Sequence, residues 1–201
     1  WHAIWMNRPF LRFTLCAAAY PILFHQLYLA IPAYIQSAHQ PASLLSSVFV
    51  ITALIGVVLQ LPVTHWVKTR LGVPRAIGIG LVCMGGSYVT MLCLADIPVM
   101  AVTLQAVLFS FGSILCYPLF SVRLPYYAGN GQLGSYYGFY ASFGGCVALL
   151  SNVLVGRMLG NAGTKPPEIL WYVLLGVGVL FGWLLYRQLS SEDKQSESRT
   201  C

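Results

Sequence analysis

Six long apolar stretches, separated by short polar segments, limit most strongly how this chain can fold. Each is long enough to cross the hydrocarbon core of a bilayer, which is about 30 Å thick and needs about 20 residues of helix. They lie near residues 10–36, 45–66, 73–95, 98–122, 134–159 and 169–188. Membrane strands would instead alternate polar and apolar residues over roughly ten positions. The sequence therefore predicts an all-α integral membrane protein.

The scarcity of charged residues supports this prediction. Only 8% of the 201 residues are charged and 58% are hydrophobic, whereas a soluble domain carries about 25% charged residues. In water the chain would need a charged surface that it does not have. The net charge of +6 could indicate a nucleic-acid partner in a soluble protein. Here the basic residues fall between apolar stretches, so we predict no nucleic-acid binding.

The two ends of the sequence differ from the apolar middle. Residues 190–201 are polar and typical of a disordered tail, which we predict to follow a six-helix unit at residues 1–189. The chain begins at Trp1 rather than at a methionine. We therefore expect a fragment or a processed chain.

The basic residues are distributed unevenly among the connecting segments. If both ends face the cytoplasm, all but two of the eleven basic residues lie on the inside, and only Arg157 and Lys165 lie outside. Cytoplasmic loops of membrane proteins carry the excess of lysine and arginine. The sequence therefore predicts that both ends are cytoplasmic.

Motifs of enzymes and metal sites are missing from the sequence. Five of the six cysteines lie in apolar stretches, and none forms a C-x-x-C pair, so we interpret them as packing residues. Neither H-E-x-x-H nor G-x-S-x-G occurs. The Gly-Asn-Gly at 129–131 has no following lysine and is interpreted as a turn. We predict no enzyme activity, no metal and no cofactor.

Three segments carry a resemblance to a known family. They are NRPFLRFTL at 7–15, LPVTHWVKTRLGVPRAIGIG at 61–80 and GQLGSYYGFYASFGGCVALLSNVLVGRMLG at 131–160. In this six-span order they resemble helices seven to twelve, the C-terminal half, of a major facilitator superfamily transporter. The third segment resembles helix eleven of the drug/proton antiporter branch, which begins with Gly, an aromatic residue and Gly, here Gly134-Ser-Tyr-Tyr-Gly138.

The resemblance implies partners and a location. A transporter of this kind builds its path between two six-helix halves, so it implies an N-terminal six-helix half, a lipid bilayer and a small-molecule substrate as partners. It also implies a bacterial cytoplasmic (inner) membrane. The cytoplasmic loop of the family is represented by Lys68, Arg70 and Arg75, which we predict to form a gating loop. This sequence departs from the family because no acidic residue precedes that loop.

Polar side chains inside the apolar stretches are the candidates for a substrate cavity, because polar groups in hydrocarbon usually face the bundle interior or water. His25, Gln26 and Tyr28 lie together near two prolines of the first stretch. We expect them either to line a cavity or to make an interhelical hydrogen bond near a proline bend. The other candidates are Gln60, Gln105, Tyr117, Tyr136, Tyr140 and Asn152. Tyr136 and Tyr140 could equally contact lipid or a neighbouring helix.

Small residues recur along one face of the fifth stretch. Gly134, Gly138 and Gly145 form most of this stripe. Stripes of small residues let helices approach closely in a membrane. We therefore predict that these glycines serve helix packing.

None of the five acidic residues lies in a membrane interior. Proton-coupled transport normally uses a titrating group within the membrane. The coupling acid would then belong to the other half, or His25 would serve, since histidine changes charge readily near neutral pH.

The favoured functional interpretation is a secondary active transporter of the multidrug type. It would export hydrophobic or amphipathic small molecules by alternating access, as a proton-coupled antiporter. The aromatic, acid-free wall fits a lipophilic substrate better than a sugar. The alternatives are a major facilitator transporter of a sugar, amino acid or organic acid, and a membrane fragment or scaffold that transports nothing.

Overall fold

The computed structural model describes residues 2–128, 132–160 and 165–200. Within these ranges it gives the side chains of all residues except 2, 3, 68 and 196–200. The described helices are α1 (His2–Met6), α2 (Arg8–Ala17), α3 (Ala19–Ser37), α4 (Ser43–Trp66), α5 (Val73–Ser87), α6 (Thr90–Cys93), α7 (Pro98–Tyr127), α8 (Leu133–Leu159) and α9 (Glu168–Thr200). A π-helical turn at Val67–Leu71 joins α4 to α5. The turn predicted at 129–131 lies outside the described residues.

Within the described ranges, six helical segments are long and apolar enough to cross a membrane. They are Arg8–Ser37, Ser43–Leu71, Val73–Cys93, Pro98–Tyr127, Leu133–Leu159 and Glu168–Gln195. Each overlaps one of the apolar stretches of the sequence. The predicted all-α membrane architecture with six spans is therefore confirmed.

Contacts between helix ends show how the spans are arranged. The Gln188 Nε2 of α9 donates a hydrogen bond to the Pro9 carbonyl of α2 at 2.9 Å. At the opposite end, the rings of Tyr34 in α3 and Trp171 in α9 lie 5.9 Å apart. The start of α2 therefore meets α9 near Gln188, in the C-terminal half of that helix. We call this the basic end of the bundle, after the arginines that its helices carry there: Arg8, Arg12, Arg75, Arg123 and Arg187.

Close glycine contacts hold α5 between α7 and α9. A Cβ added at Gly80 would lie 2.8 Å from the Gly112 carbonyl oxygen of α7. On the other side of α5, a Cβ added at Gly85 would lie 2.9 Å from the Gly178 Cα of α9. Because lipid is as apolar as a leucine side chain, close van der Waals packing stabilises such helix pairs in a membrane. These glycines, rather than large side chains, set the spacing of the three helices.

A polar network joins α7 to α9 at the basic end. Arg123 forms ion pairs with Glu192 at 3.2 Å and with Asp193 at 2.7 Å. The Tyr127 hydroxyl donates a hydrogen bond to Glu192 at 2.6 Å. Charge-assisted hydrogen bonds of this kind are among the stronger polar contacts in proteins.

The prediction of a disordered tail at 190–201 is wrong for residues 190–200, because these residues continue α9 without a break. Two of its acidic residues are fixed by Arg123. Gln188 also donates a hydrogen bond to Glu192 at 2.9 Å, one helical turn away. A hydrophilic composition therefore does not produce disorder here, because the polar groups find partners on a neighbouring helix.

Two spans contribute little to the core of this chain. In the most apolar part of the α4 span only 11% of the residues are buried, and in the most apolar part of the α8 span only 17%. The corresponding figures for the first, third and fourth spans lie between 50% and 61%. Large apolar side chains such as Val57 on α4 and Leu149 on α8 are exposed. These two helices thus leave much of their apolar surface uncovered by the described chain.

Candidate substrate cavity

A cavity of about 450 Å³ lies between α3, α4 and α7. Its wall consists of Tyr20, Pro21, Phe24, His25, Gly56, Gln60, Ser113, Ile114, Tyr117 and Pro118. A second cavity of about 190 Å³ lies beside it, between α2, α3, α7 and α8. The two share Tyr20, Pro21, His25 and Tyr117, so these four residues stand at the boundary between the cavities.

Prolines shape the helices beside the cavities. Because Pro21 has no N–H, it cannot donate a helical hydrogen bond to the Ala17 carbonyl. The first span divides at this point into α2, which ends at Ala17, and α3, which begins at Ala19. Pro118 lies inside α7 on the facing wall. Interrupted helices of this kind are typical of membrane proteins where the backbone borders a cavity.

Tyr20 organises the shared boundary, although nothing in the sequence distinguishes it from other tyrosines. Its hydroxyl lies 3.0 Å from the Ser113 Oγ of α7. Its ring stacks on Phe24 with centroids 5.5 Å apart and lies 5.9 Å from the ring of Tyr117. A tyrosine among apolar residues looks like an ordinary packing residue. Only the position of Ser113 on another helix reveals its polar contact.

Four of the residues predicted from the sequence line the two cavities. His25 and Tyr117 border both, Gln60 borders the larger one and Tyr140 borders the smaller one. Tyr117 is 62% exposed, so its ring projects into open space rather than into the core. The structure therefore brings together a histidine, an amide and two phenols from four helices. Their role in substrate binding stays a prediction.

Gln26 and Asn152 meet between α3 and α8. The Gln26 Nε2 donates hydrogen bonds to the Asn152 Oδ1 at 3.3 Å and to the Ile22 carbonyl at 3.2 Å. Gln26 is fully buried and lies outside the walls of both cavities. For this part of the first span the sequence predicts either a cavity wall or an interhelical hydrogen bond. Gln26 makes the interhelical hydrogen bond, and His25 lies in the cavity wall.

Three other candidates lie away from the two cavities. Tyr28 is exposed and stacks on Phe49 of α4 at 5.4 Å. Tyr136 is buried, and its hydroxyl accepts a hydrogen bond from the Asn7 Nδ2 at 3.1 Å. Gln105 is fully buried, and neither of its amide atoms has a hydrogen-bond partner among the described residues.

The predicted gating loop lies at the basic end. Arg70 belongs to the π-helical turn, and Arg75 lies in the first turn of α5. Both are exposed. The side chain of Lys68 lies outside the described residues. Gly72 separates the turn from α5 with a φ of +80°, a conformation that glycine adopts readily.

The glycine stripe on α8 has no close neighbour in the described part of the chain. A Cβ added at Gly134, Gly138 or Gly145 would meet no described atom within 4 Å. Gly145 instead borders the smaller cavity. The packing predicted for these glycines therefore has no partner helix in the described chain.

The cavities are aromatic and carry little charge. Among the described residues, no aspartate or glutamate borders either of them. The same residues contain no group of three or more histidines, cysteines or acids that could hold a metal ion. Such a wall can offer aromatic faces, hydroxyls, one amide and one imidazole to a small molecule.

Comparison with known proteins identifies the family. Residues 1–152 match the sequence model of the Major Facilitator Superfamily. The chain is 27% identical over 190 residues to two uncharacterized MFS-type transporters, one of them described as putative, from two strains of Mycobacterium tuberculosis. The match covers 90% of this chain but 45% of each relative, so the chain spans about half the length of these relatives. No solved structure gives a significant match. Since the family model covers most of the chain and the fold has six apolar spans, the chain belongs to the major facilitator superfamily.

Proposed function

We propose that this chain forms the C-terminal six-helix half of a secondary transporter and supplies one wall of its substrate path. The observation that carries the proposal is the cavity between α3, α4 and α7, where Tyr20, His25 and Tyr117 meet. Ligand sites are typically concave and mostly apolar, with a few polar groups that fix orientation. This cavity has that composition.

The uncovered helices support a partner half. The outer surfaces of α4 and α8 are largely exposed in the described chain, and these helices also contribute to the cavity walls. A second six-helix unit packed against them would close the cavities on the open side. The half-length match to the relatives agrees with such a unit. Alternating access would then be a rocking of the two halves around the cavity.

The chemistry of the wall favours hydrophobic or amphipathic substrates. Phe24, Tyr20 and Tyr117 offer aromatic faces, which attract flat organic groups and, through their π-systems, organic cations. The polar groups of the larger cavity are few, chiefly Gln60, Ser113 and His25. A sugar would need more hydrogen-bonding groups along this wall. We therefore assign the proposed transporter to multidrug-type efflux.

His25 is the residue that we propose for proton coupling in this half. It is the one histidine in either cavity wall among the described residues. Histidine exchanges a proton readily near neutral pH, and a titrating group inside the membrane is what a proton-driven exporter requires. Both chain ends would face the cytoplasm of a bacterial cell, because the basic end holds most of the arginines.

The test is efflux of a fluorescent lipophilic cation from energised cells that carry the intact protein, with and without a protonophore. We expect efflux that the protonophore abolishes. His25→Ala should leave only slow efflux that no longer responds to the protonophore. The matched control is His65→Ala, because His65 is exposed and borders neither cavity.

Two outcomes would contradict parts of this proposal. Efflux that persists in full in the His25→Ala variant and still responds to the protonophore would remove His25 from the coupling mechanism. Absence of efflux by the wild-type protein, combined with uptake or export of a sugar, amino acid or organic acid, would replace the multidrug assignment with metabolite transport.

A further inference from the structure

A long apolar groove runs between α5 and α9, on helices that take no part in the candidate substrate cavity. Its volume is about 470 Å³. The residues that form its apolar floor and sides include Ile79, Val82, Cys83 and Val179. Ile79 is 45% exposed and Val179 is 45% exposed, so the groove opens away from the core, toward the lipid.

Glycine contacts explain why a groove forms here. A Cβ added at Gly78 would lie 3.1 Å from the Gly182 carbonyl oxygen, and one added at Gly182 would lie 2.8 Å from the Gly78 carbonyl oxygen. The backbones of α5 and α9 therefore touch at this crossing. The larger side chains on either side cannot fill the space above the two glycines, which leaves an open channel along the helix pair.

Arginines and aromatic residues mark one end of the groove. Arg75 of α5 borders it, together with Trp183 and Tyr186 of α9. The Arg187 guanidinium lies over the Trp183 ring, 4.6 Å from its centroid. Gly78 pairs with Gly182, whereas Gly85 pairs with Gly178, so the two helices are antiparallel. The start of α5 and the end of α9 thus bring Arg75 and Arg187 to the same end.

The charge that borders the groove itself is positive. Among the described residues, no aspartate or glutamate borders the groove. The nearest acidic residue along α9, Glu192, borders a neighbouring cavity together with Arg187 and is paired with Arg123. Tryptophan and tyrosine are enriched where membrane proteins meet the headgroup layer, and basic pockets between membrane helices attract anionic lipid headgroups.

We propose that this groove binds one anionic glycerophospholipid of the adjacent leaflet. Its phosphate lies beside Arg75, with Arg187 close by over the Trp183 ring. One acyl chain lies along Ile79, Val82 and Val179. The aromatic residues Trp183 and Tyr186 contact the glycerol region. The groove has positive charge at one end and apolar side chains along the rest of its length. This arrangement fits a phospholipid, with its anionic headgroup and acyl chain, better than a second protein chain. The site does not depend on the proposed transport function.

Native mass spectrometry of the intact, delipidated protein tests the proposal. Phosphatidylglycerol and phosphatidylcholine with the same acyl chains are titrated separately. We expect the wild type to retain phosphatidylglycerol in preference to phosphatidylcholine. Each arginine that contacts the bound headgroup should contribute roughly fivefold to the affinity for anionic lipid, so Arg75→Gln combined with Arg187→Gln should weaken phosphatidylglycerol binding about 25-fold.

Two further variants separate this groove from general charge attraction. Arg8→Gln combined with Arg157→Gln removes the same net charge from exposed residues outside the groove. It should change binding less than twofold, because these arginines do not contact a lipid in the groove and the attraction between charges falls off within a Debye length. Val179→Trp places an indole in the groove from its open side, and should weaken the binding of both lipids. Its side chain is half-exposed in the wild type, so this change spares the core.

Three results would overturn the proposal. The first is equal retention of phosphatidylglycerol and phosphatidylcholine by the wild type. The second is equal loss of phosphatidylglycerol binding in the two double-arginine variants. The third is a stable wild-type dimer that dissociates in the Val179→Trp variant, while lipid binding stays unchanged. This would make the groove a contact between two copies.

Discussion

We expect Gly56→Trp to slow transport strongly while leaving the protein folded. Gly56 borders the cavity between α3, α4 and α7, and a Cβ added there meets no described atom within 4 Å. An indole can therefore project into the cavity without displacing the helices. Overfilling a well-packed protein core costs about 1–3 kcal/mol. The same cost for a substrate in this cavity would correspond to a roughly 5- to 150-fold loss of affinity. The measurement is the initial rate of efflux against substrate concentration.

The matched control is Gly176→Trp. Gly176 is exposed on α9, a Cβ there also meets no described atom within 4 Å, and the residue borders neither cavity. It should transport at the wild-type rate. If both tryptophan variants transported equally well, the substrate would not pass through this cavity. Thermal unfolding of both purified variants shows whether each is folded.

We expect Gly85→Val to destabilise the bundle, whereas Gly86→Val does not. A Cβ at Gly85 would lie 2.9 Å from both the Gly178 Cα and the Leu174 carbonyl oxygen. Both are backbone atoms, so α9 must move away from α5. A Cβ at Gly86 meets no described atom within 4 Å. Overpacking at Gly85 should cost about 3 kcal/mol, which lowers the unfolding midpoint by roughly 6–12 °C.

The two positions form a close comparison because they are adjacent on one helix. Valine has a similar effect on helix propensity at both, so the difference reports on the contact with α9. The measurement is thermal unfolding of the detergent-purified protein. Equal midpoints for the two variants would show that α5 and α9 are not in close contact, and would also remove the basis for the lipid groove.

The positions of the membrane spans could be predicted well from the sequence. Hydropathy reports the length of each apolar run, and the bilayer thickness fixes how long a crossing helix must be. Even the first span, which Pro21 divides, was recognisable because both pieces are apolar. The helical end of α9 was not predictable, because its order depends on Arg123 of a distant helix.

The contacts between helices were much harder to predict. Lipid and protein core are equally apolar, so hydrophobicity does not say which face of a helix is buried. The glycine stripe on α8 therefore looked like a packing surface, whereas the close contacts of this chain involve Gly80, Gly85 and Gly112. Nothing in the spacing of those three distinguishes them from the α8 glycines.

The cavity walls were predictable only in part. His25 and Gln60 attract notice because polar side chains are rare in such spans, and both border the larger cavity. Gln26 is equally unusual in an apolar span, but its side chain faces α8. Successive side chains of a helix are rotated by about 100°, so Gln26 and His25 face different neighbours. Tyr20 could not be selected from the sequence, because its polar contact, Ser113, lies 93 positions away.

Photoaffinity labelling tests most directly the claim that the α3–α4–α7 cavity holds the transported molecule. The intact protein is irradiated with an azide-bearing derivative of the transported compound, with and without excess unlabelled compound, and the labelled peptides are mapped by mass spectrometry. We expect competable labels around Tyr20–His25, Gly56–Gln60 and Ser113–Pro118, the segments that form the wall. Competable labels confined to α5 and α9, with none on these segments, would contradict it.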